Sequence, residues 1–189
     1  DTKDQIKYCK TKAHEKKMDN QVNFDLVDYR HVKGKFDRIV SVGAFEHFGR
    51  KFYKVFFNKM NEVMKDDGKF LLHTIGVVDQ PSPPNKFINK YIFPGGICPT
   101  LSQIITPLEK TGLIVNDIET LIRHYDKTLE SWLERLLANK GKVKDLFNEQ
   151  FLKCWEFYMA SCAAAFKYRD LAVFQLQIVK NFDSAHSTR

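Results

Sequence analysis

FDRIVSVG (36–43), KFYKVFFNKMNEVMK (51–65) and KFLLHTIG (69–76) follow one another along the chain, and their reading decides the fold. The first is apolar and β-branched and stops at Gly43, as a buried strand does. The second sets Phe52, Val55, Phe56, Met60, Val63 and Met64 at helical spacing. Asp66-Asp67-Gly68 reads as a turn, and the third stretch as another buried-type strand. A strand, a helix and a strand in this order predict a parallel pair with a right-handed crossover.

On the amino-terminal side, residues 3–18 read as a helix and VNFDLVD (22–28) as a short strand with alternating apolar positions. On the other side, residues 77–100 hold five of the six prolines together with Gly95 and Gly96, so they read as loop or broken helix laid over the sheet. Residues 101–111 then predict a helix closed by Gly112, and LIVNDIETL (113–121) a strand. Two helices follow at about 127–139 and 145–167, separated by Asn139-Lys140-Gly141, and LAVFQLQIVK (171–180) is the last strand. This alternation predicts an α/β fold, an open sheet with helices on both faces that binds ligands outside the carboxyl ends of its strands. With 189 residues, 43% of them hydrophobic, one domain is expected, carrying an insertion at about 77–100 and a helical one at about 126–167. A G-x-G turn ahead of a helix is absent, so the first strand and glycine loop of a nucleoside-binding sheet are expected upstream of Asp1.

The net charge of +7 favours an anionic partner, either nucleic acid or an acidic phospholipid surface. Lysines of the first helix alternate with Asp4, Glu15 and Asp19, which is the pattern of a solvated face. Basic and aromatic residues interleave only in PPNKFINKYIFPGG (83–96), a mixture that suits a phosphate-headed apolar ligand or a loop packed on the sheet; nucleic acid is not expected. Cys9, Cys98, Cys154 and Cys162 have neither the spacing of a zinc site nor the density of a disulfide scaffold, so no metal is expected and a reducing cytoplasm fits.

Chemistry is sought at the strand ends. Glu46 lies three residues past the first strand of the parallel pair and His73 near the end of the second, so an acid and an imidazole share one edge. Glu46 reads equally as an acid favoured by a helix dipole, and His73 as a satisfied strand histidine. His47 reads as a cap or a solvent-facing residue. Tyr125 sits between a strand and a helix, where its hydroxyl is placed to donate to an anion or its ring to wedge the helix. Cys162 lies on the apolar stripe Phe147, Phe151, Tyr158, Cys162, Phe166 and reads as core.

The strings themselves say more. VSVGAFEHFG (40–49), LLHTIG (71–76), NKYIFPGG (89–96), HYDKTL (124–129) and CAAAF (162–166) stand in the order and at the spacing of the cyclopropane fatty acid synthases and mycolic acid cyclopropane synthases, a family this chain resembles from about Thr2 to Val179. The resemblance implies a class I S-adenosylmethionine-dependent methyltransferase sheet, Rossmann-like and mostly parallel with an antiparallel last strand. It implies transfer of the methyl carbon of S-adenosylmethionine to a cis double bond of a lipid acyl chain, followed by deprotonation by a bound bicarbonate ion and ring closure. Carried over by motif, the bicarbonate pocket comprises Glu46, His73, Ile75, Tyr125 and Cys162, with Phe45, Phe48, Tyr91 and Phe93 as aromatic walls. Cofactor contacts carry over to Gln5, to Asp28 and Tyr29, and to Val42, Gly43 and His47. The chain matches the carboxyl-terminal two-thirds of such an enzyme, and the family's G-x-G loop and ribose-gripping acid have no counterpart in it. The implied partners are unsaturated phospholipid acyl chains at the inner face of the membrane, reached by a cytoplasmic, peripherally bound protein, with a homodimer left open. Two rival readings stand beside this one: another C- or N-methyltransferase on the same scaffold, and a truncated, non-catalytic lipid-binding remnant.

Overall fold

A computed structural model describes residues 2–185. The chain forms two compact units, one ending at Gly34 and one beginning at Lys35.

The first unit is built on helix α1 (Lys3–Glu15), which opens with a reciprocal cap: the Thr2 hydroxyl accepts from the Gln5 amide and the Gln5 side chain accepts from the Thr2 amide. Two of the orphan N–H groups of the first turn are thereby satisfied. The helix stops three residues short of the expected end, before Lys17 takes a left-handed φ of 56°. Residues 22–28, expected as a strand, run without regular structure. Their alternating pattern is real, but a strand exists only through a ladder to a neighbour, and the described part of this unit contains no second strand. A single 3-10 turn, Tyr29–His31, follows, capped by the Asp28 side chain.

The second unit carries a four-stranded sheet in the order β1-β2-β4-β3, formed by Phe36–Val42, Met64–Val77, Leu171–Val179 and Ile114–Leu121 respectively. β1 and β2 pair in parallel, and β4 runs antiparallel to both β2 and β3, so the sheet is parallel except for its last strand, as expected. Between β1 and β2 lie two 3-10 turns, Phe45–His47 and Arg50–Phe52, and helix α2 (Tyr53–Val63). The turn expected at Asp66-Asp67-Gly68 is a bulge inside β2: Phe36 pairs with Met64 while Arg38 pairs with Lys69, so four residues of β2 stand opposite one of β1. Gly68 permits the bulge because a side chain there would meet Met64 Cγ at 2.5 Å and the Lys65 carbonyl at 2.9 Å.

Two faces of β2 meet two helical layers. Phe70, Leu72 and Thr74 are buried, with Phe70 edge-on to Phe56 of α2 at 5.9 Å. Ile75 packs instead with Leu129, Ala163 and Phe166, which belong to α5 (Tyr125–Ala138) and α7 (Glu149–Tyr168). The proline-rich segment contains one short helix, α3 (Lys86–Tyr91), and leads into α4 (Leu101–Glu109), which is capped by Thr100 and Gln103. Where two helices were expected after β3 there are three, because α6 (Lys140–Leu146) is cut from α7 at Asn148, whose side chain accepts from the Phe151 amide. Asparagine is a strong amino-terminal cap, and this one restarts the helix within an otherwise continuous apolar pattern. Among the described residues no helix is long and apolar enough to cross a membrane.

Gly76, at the end of β2, has no room for a methyl group: a Cβ would lie 2.3 Å from the Phe174 ring and 2.5 Å from the Pro99 carbonyl. Gly141, in α6, has nothing within 4 Å of such a carbon. Gly76→Ala is therefore expected to lower the unfolding free energy by roughly 1–3 kcal/mol. Gly141→Ala should raise it by roughly 0.5–1 kcal/mol. Urea denaturation of the two variants beside the parent protein checks both signs.

Candidate active site

β1 ends at Val42, opposite His73 of β2, and the Gly43 amide makes the last contact, donating to the His73 carbonyl at 3.1 Å. Gly43 takes a φ of +65°, a conformation costly for a side-chain-bearing residue, and this turns the chain off the sheet into the Phe45–His47 turn. One pair further along, the Ile75 amide has lost its β1 partner. The Glu46 carboxylate takes that place: Oε1 accepts from the Ile75 N–H at 2.7 Å. The Glu46 carbonyl also accepts from the Ile97 amide at 2.9 Å, so the same residue anchors the end of the proline-rich segment. Glu46 is 9% exposed, and its second oxygen, Oε2, is buried with no hydrogen-bond partner.

Around Glu46 stand groups that burial keeps neutral. Burial pushes the Cys98 thiol up to about 12, with the nearby Glu46 charge adding to the effect, and the Cys162 thiol up to about 11. Burial likewise raises the Tyr125 phenol, again with help from Glu46, and lifts Tyr158 to about 12. Tyr53 reaches about 12 through burial, partly offset by the Arg50 guanidinium. Its ring stacks on Phe45 with centroids 4.0 Å apart, and its buried hydroxyl has no partner. Ile75, Tyr125 and Cys162 all pack on the cluster of Leu129, Ala163, Phe166 and Val173. Four of the five expected pocket residues are thus connected, Glu46 through its bond to Ile75 and the others through shared packing. His73 is half-buried on β2 beside Val42 and lies on the same face of the strand as Ile75, two residues away.

Of the expected aromatic walls, Phe93 lies edge-on to both His47 and Tyr158, at 5.9 Å from each. Tyr91 meets Phe87 at 5.4 Å, and Phe87 meets Phe157 of α7 at 4.7 Å. Phe48 lies against Phe56 and edge-on to Phe45. Phe45 itself is fully buried among Tyr53, Phe56 and Phe57 and belongs to the core beneath the site. Sequence reading passed over Cys98, Tyr158 and Tyr53. Tyr158 was within reach, one helical turn before Cys162 on the same stripe; Cys98 lies in a loop, where no periodicity exists to reveal its direction.

The cofactor positions fall in both units. In the second, Val42 is 62% exposed on the edge strand, and Gly43 and His47 are exposed beside it. An apolar side chain, a bare backbone turn and an imidazole open to solvent fit one wall of an S-adenosylmethionine site. In the first unit, Gln5 serves the cap of α1. Asp28 accepts from the Arg30 backbone amide at 2.9 Å and from its guanidinium at 2.9 and 2.6 Å, which holds its carboxyl well below the usual range. Partial burial raises the Tyr29 phenol. A bicarbonate ion also finds a fitting feature, because the orphaned Glu46 Oε2 is an acceptor facing no donor of the protein.

Known proteins match this arrangement. The profile of the mycolic acid cyclopropane synthetase family aligns with residues 2–176. Cyclopropane-fatty-acyl-phospholipid synthase of Escherichia coli strain K12 is 40% identical over 151 residues, covering 80% of this chain and 39% of that protein. A probable fatty acid methyltransferase of Pseudomonas putida is 32% identical, covering 98% of this chain and 49% of its own length. The chain therefore spans less than half of either relative. Among solved structures, mycolic acid cyclopropane synthase CmaA1 complexed with SAH and CTAB superposes with a TM-score of 0.81 at 30% identity, covering 94% of this chain and 67% of that one. Cyclopropane synthase MmaA2 from Mycobacterium tuberculosis superposes with a TM-score of 0.79 at 29% identity, with the same coverage. In sequence and in fold, this chain belongs to the mycolic acid cyclopropane synthetase family of S-adenosylmethionine-dependent methyltransferases.

Proposed function

We propose that the protein is a cyclopropane-fatty-acyl-phospholipid synthase, which moves the methyl carbon of S-adenosylmethionine onto a cis double bond of a lipid acyl chain and closes the ring after loss of a proton to bound bicarbonate. The observation that carries this reading is the divided Glu46 carboxylate, with Oε1 committed to the Ile75 amide and Oε2 buried and unpartnered. A plain transfer to nitrogen or oxygen would have no need of a bicarbonate pocket. The E. coli and mycobacterial relatives, named as cyclopropane synthases, support the same assignment.

S-adenosylmethionine, when bound beside Val42, Gly43 and His47, supplies an electrophilic methyl group. The chain's own residues then have three tasks. Glu46 Oε2 accepts the hydroxyl hydrogen of a bicarbonate ion, and the bond from Ile75 keeps that oxygen from turning away. Tyr125, neutral because it is buried, donates to the same ion. Ile75, Cys162, Tyr158 and Phe93 exclude water, which matters because a carbocation on the acyl chain would otherwise be trapped as an alcohol. Aromatic faces nearby favour positive charge without offering a nucleophile. The substrate site is proposed to lie at the inner face of the membrane, with the protein peripherally bound and a homodimer compatible with it.

The reaction is tested by incubating the full gene product with S-adenosylmethionine and vesicles of unsaturated phospholipid and analysing the acyl chains by mass spectrometry. Acyl chains that gain one CH₂ and lose their double bond are expected. A methyl branch with the double bond retained, or a hydroxylated product, would overturn the ring-closing step. The role of Glu46 is separable from cofactor binding: Glu46→Gln should lower kcat by about two to four orders of magnitude while changing the Kd for S-adenosylmethionine by less than about threefold. Equal losses in the two quantities would remove Glu46 from the proton-handling role.

A further inference from the structure

Residues of α2, α4 and the turn before α2 line a groove of about 470 Å³, against ~30 Å³ for one water in the liquid, so it admits far more than a bare ion. Arg50 and Lys54 line one side; Ser102, Thr106 and Lys110, spaced four residues apart on α4, line the other. No carboxylate borders it. Elsewhere on the surface several lysines have an acidic neighbour: Lys12 pairs with Glu15, Lys59 with Glu62, Lys65 with Asp37, Lys144 with Glu149 and Lys167 with Glu130. Among the described residues, Arg50, Lys54 and Lys110 make no ion pair, although they converge on one concave surface.

A second observation points to a ligand. Tyr53 lines the same groove, is 1% exposed, and its hydroxyl is buried with no partner. An unmade hydrogen bond on a buried hydroxyl is costly, and an oxygen atom of a ligand reaching it from the groove would supply the missing partner. Three cations without an ion pair, two exposed hydroxyls and a buried phenol without a partner form a set rich in donors and free of carboxylates, as suits recognition of a phosphate group.

We propose that this groove is a phosphate-binding site, and that the phosphate it takes is the phosphodiester of an anionic phospholipid head group. The preference for a lipid rests on the phospholipid substrate proposed above, whereas the phosphate chemistry rests on the groove alone. The groove and the acyl-chain site are joined through Tyr53, whose ring stacks on Phe45, the residue preceding Glu46. A head group held there would fix the membrane surface relative to the catalytic carboxylate.

The test uses the full gene product at 0.15 M salt in two arms: cosedimentation with phosphatidylcholine vesicles containing or lacking phosphatidylglycerol, and calorimetric titration with inorganic phosphate. The triple variant Arg50→Ala, Lys54→Ala, Lys110→Ala is compared with Lys140→Ala, Lys142→Ala, Lys153→Ala, which removes the same charge from α6 and α7. At about fivefold per cation, the groove variant should lose about a hundredfold in affinity for phosphatidylglycerol vesicles, and the control far less. Loss of phosphate binding with unchanged vesicle binding would keep the phosphate site but assign it to a soluble phosphate. Equal effects of the two triple variants in both arms overturn the proposal. Tyr53→Phe, which keeps the ring and the fold, should weaken phosphate or vesicle binding by about fivefold, and no change would overturn the role of the hydroxyl. These readouts are independent of turnover: a protein that binds vesicles through the groove but transfers no carbon refutes only the catalytic reading, and one that forms cyclopropanes with groove-independent binding refutes only this one.

Discussion

Everything at the site depends on one hydrogen bond, from the Ile75 amide to Glu46 Oε1. β1 stops one residue before it could satisfy that amide, and an unpaired N–H at the centre of a sheet edge would be expensive. Filling the gap with a carboxylate rather than a backbone carbonyl has two consequences. The bond is charge-assisted and contributes roughly 1.5–3 kcal/mol, more than an ordinary ladder bond. It also leaves a second oxygen over, buried at the strand end without a partner of its own. A termination of secondary structure and the fixing of a reactive group are here the same event.

The surroundings keep that oxygen useful. Cys98 and Tyr125 would bring negative charge toward Glu46 if ionised, but burial moves both of them, and Cys162 and Tyr158 next in line, in the protonated direction. The same low polarity that raises these groups makes any hydrogen bond formed inside stronger. Neutral donors around a single fixed acceptor can bind a small anion that still carries one proton, such as bicarbonate, without the like-charge repulsion that further carboxylates would impose.

How much of this the sequence disclosed varies with the kind of signal. The βαβ unit and the placing of Glu46 and His73 toward one edge were legible, because buried strands and amphipathic helices write their period directly into the chain; that the last strand runs antiparallel was implied by the family resemblance alone. The 22–28 segment misled for a physical reason: alternation records which side chains dislike water, but strand formation needs a neighbour that alternation cannot supply. Asp66-Asp67-Gly68 has the composition of a turn, and only the pairing of Phe36 with Met64 makes it a bulge. The break before α7 was hidden because Asn148 interrupts an apolar stripe without changing its phase. Cys98 had no periodic context at all, and its nearness to Glu46 follows from the Ile97 amide bonding to the Glu46 carbonyl, a contact between residues 51 positions apart.

The local bonds of the first unit bear on what its residues can still do for a cofactor. Asp28 already receives three hydrogen bonds from Arg30, and a carboxylate has about four lone-pair positions, so roughly one acceptor place remains. The depressed carboxyl pKa keeps that place an acceptor throughout the physiological range. Gln5 presents the complementary case. Its Oε1 is occupied by the Thr2 amide, whereas the cap makes no use of its two N–H donors. Arg30 and Thr2 each occupy part of a neighbour's hydrogen-bonding capacity, so that an acceptor place is left over at Asp28 and two N–H donors at Gln5.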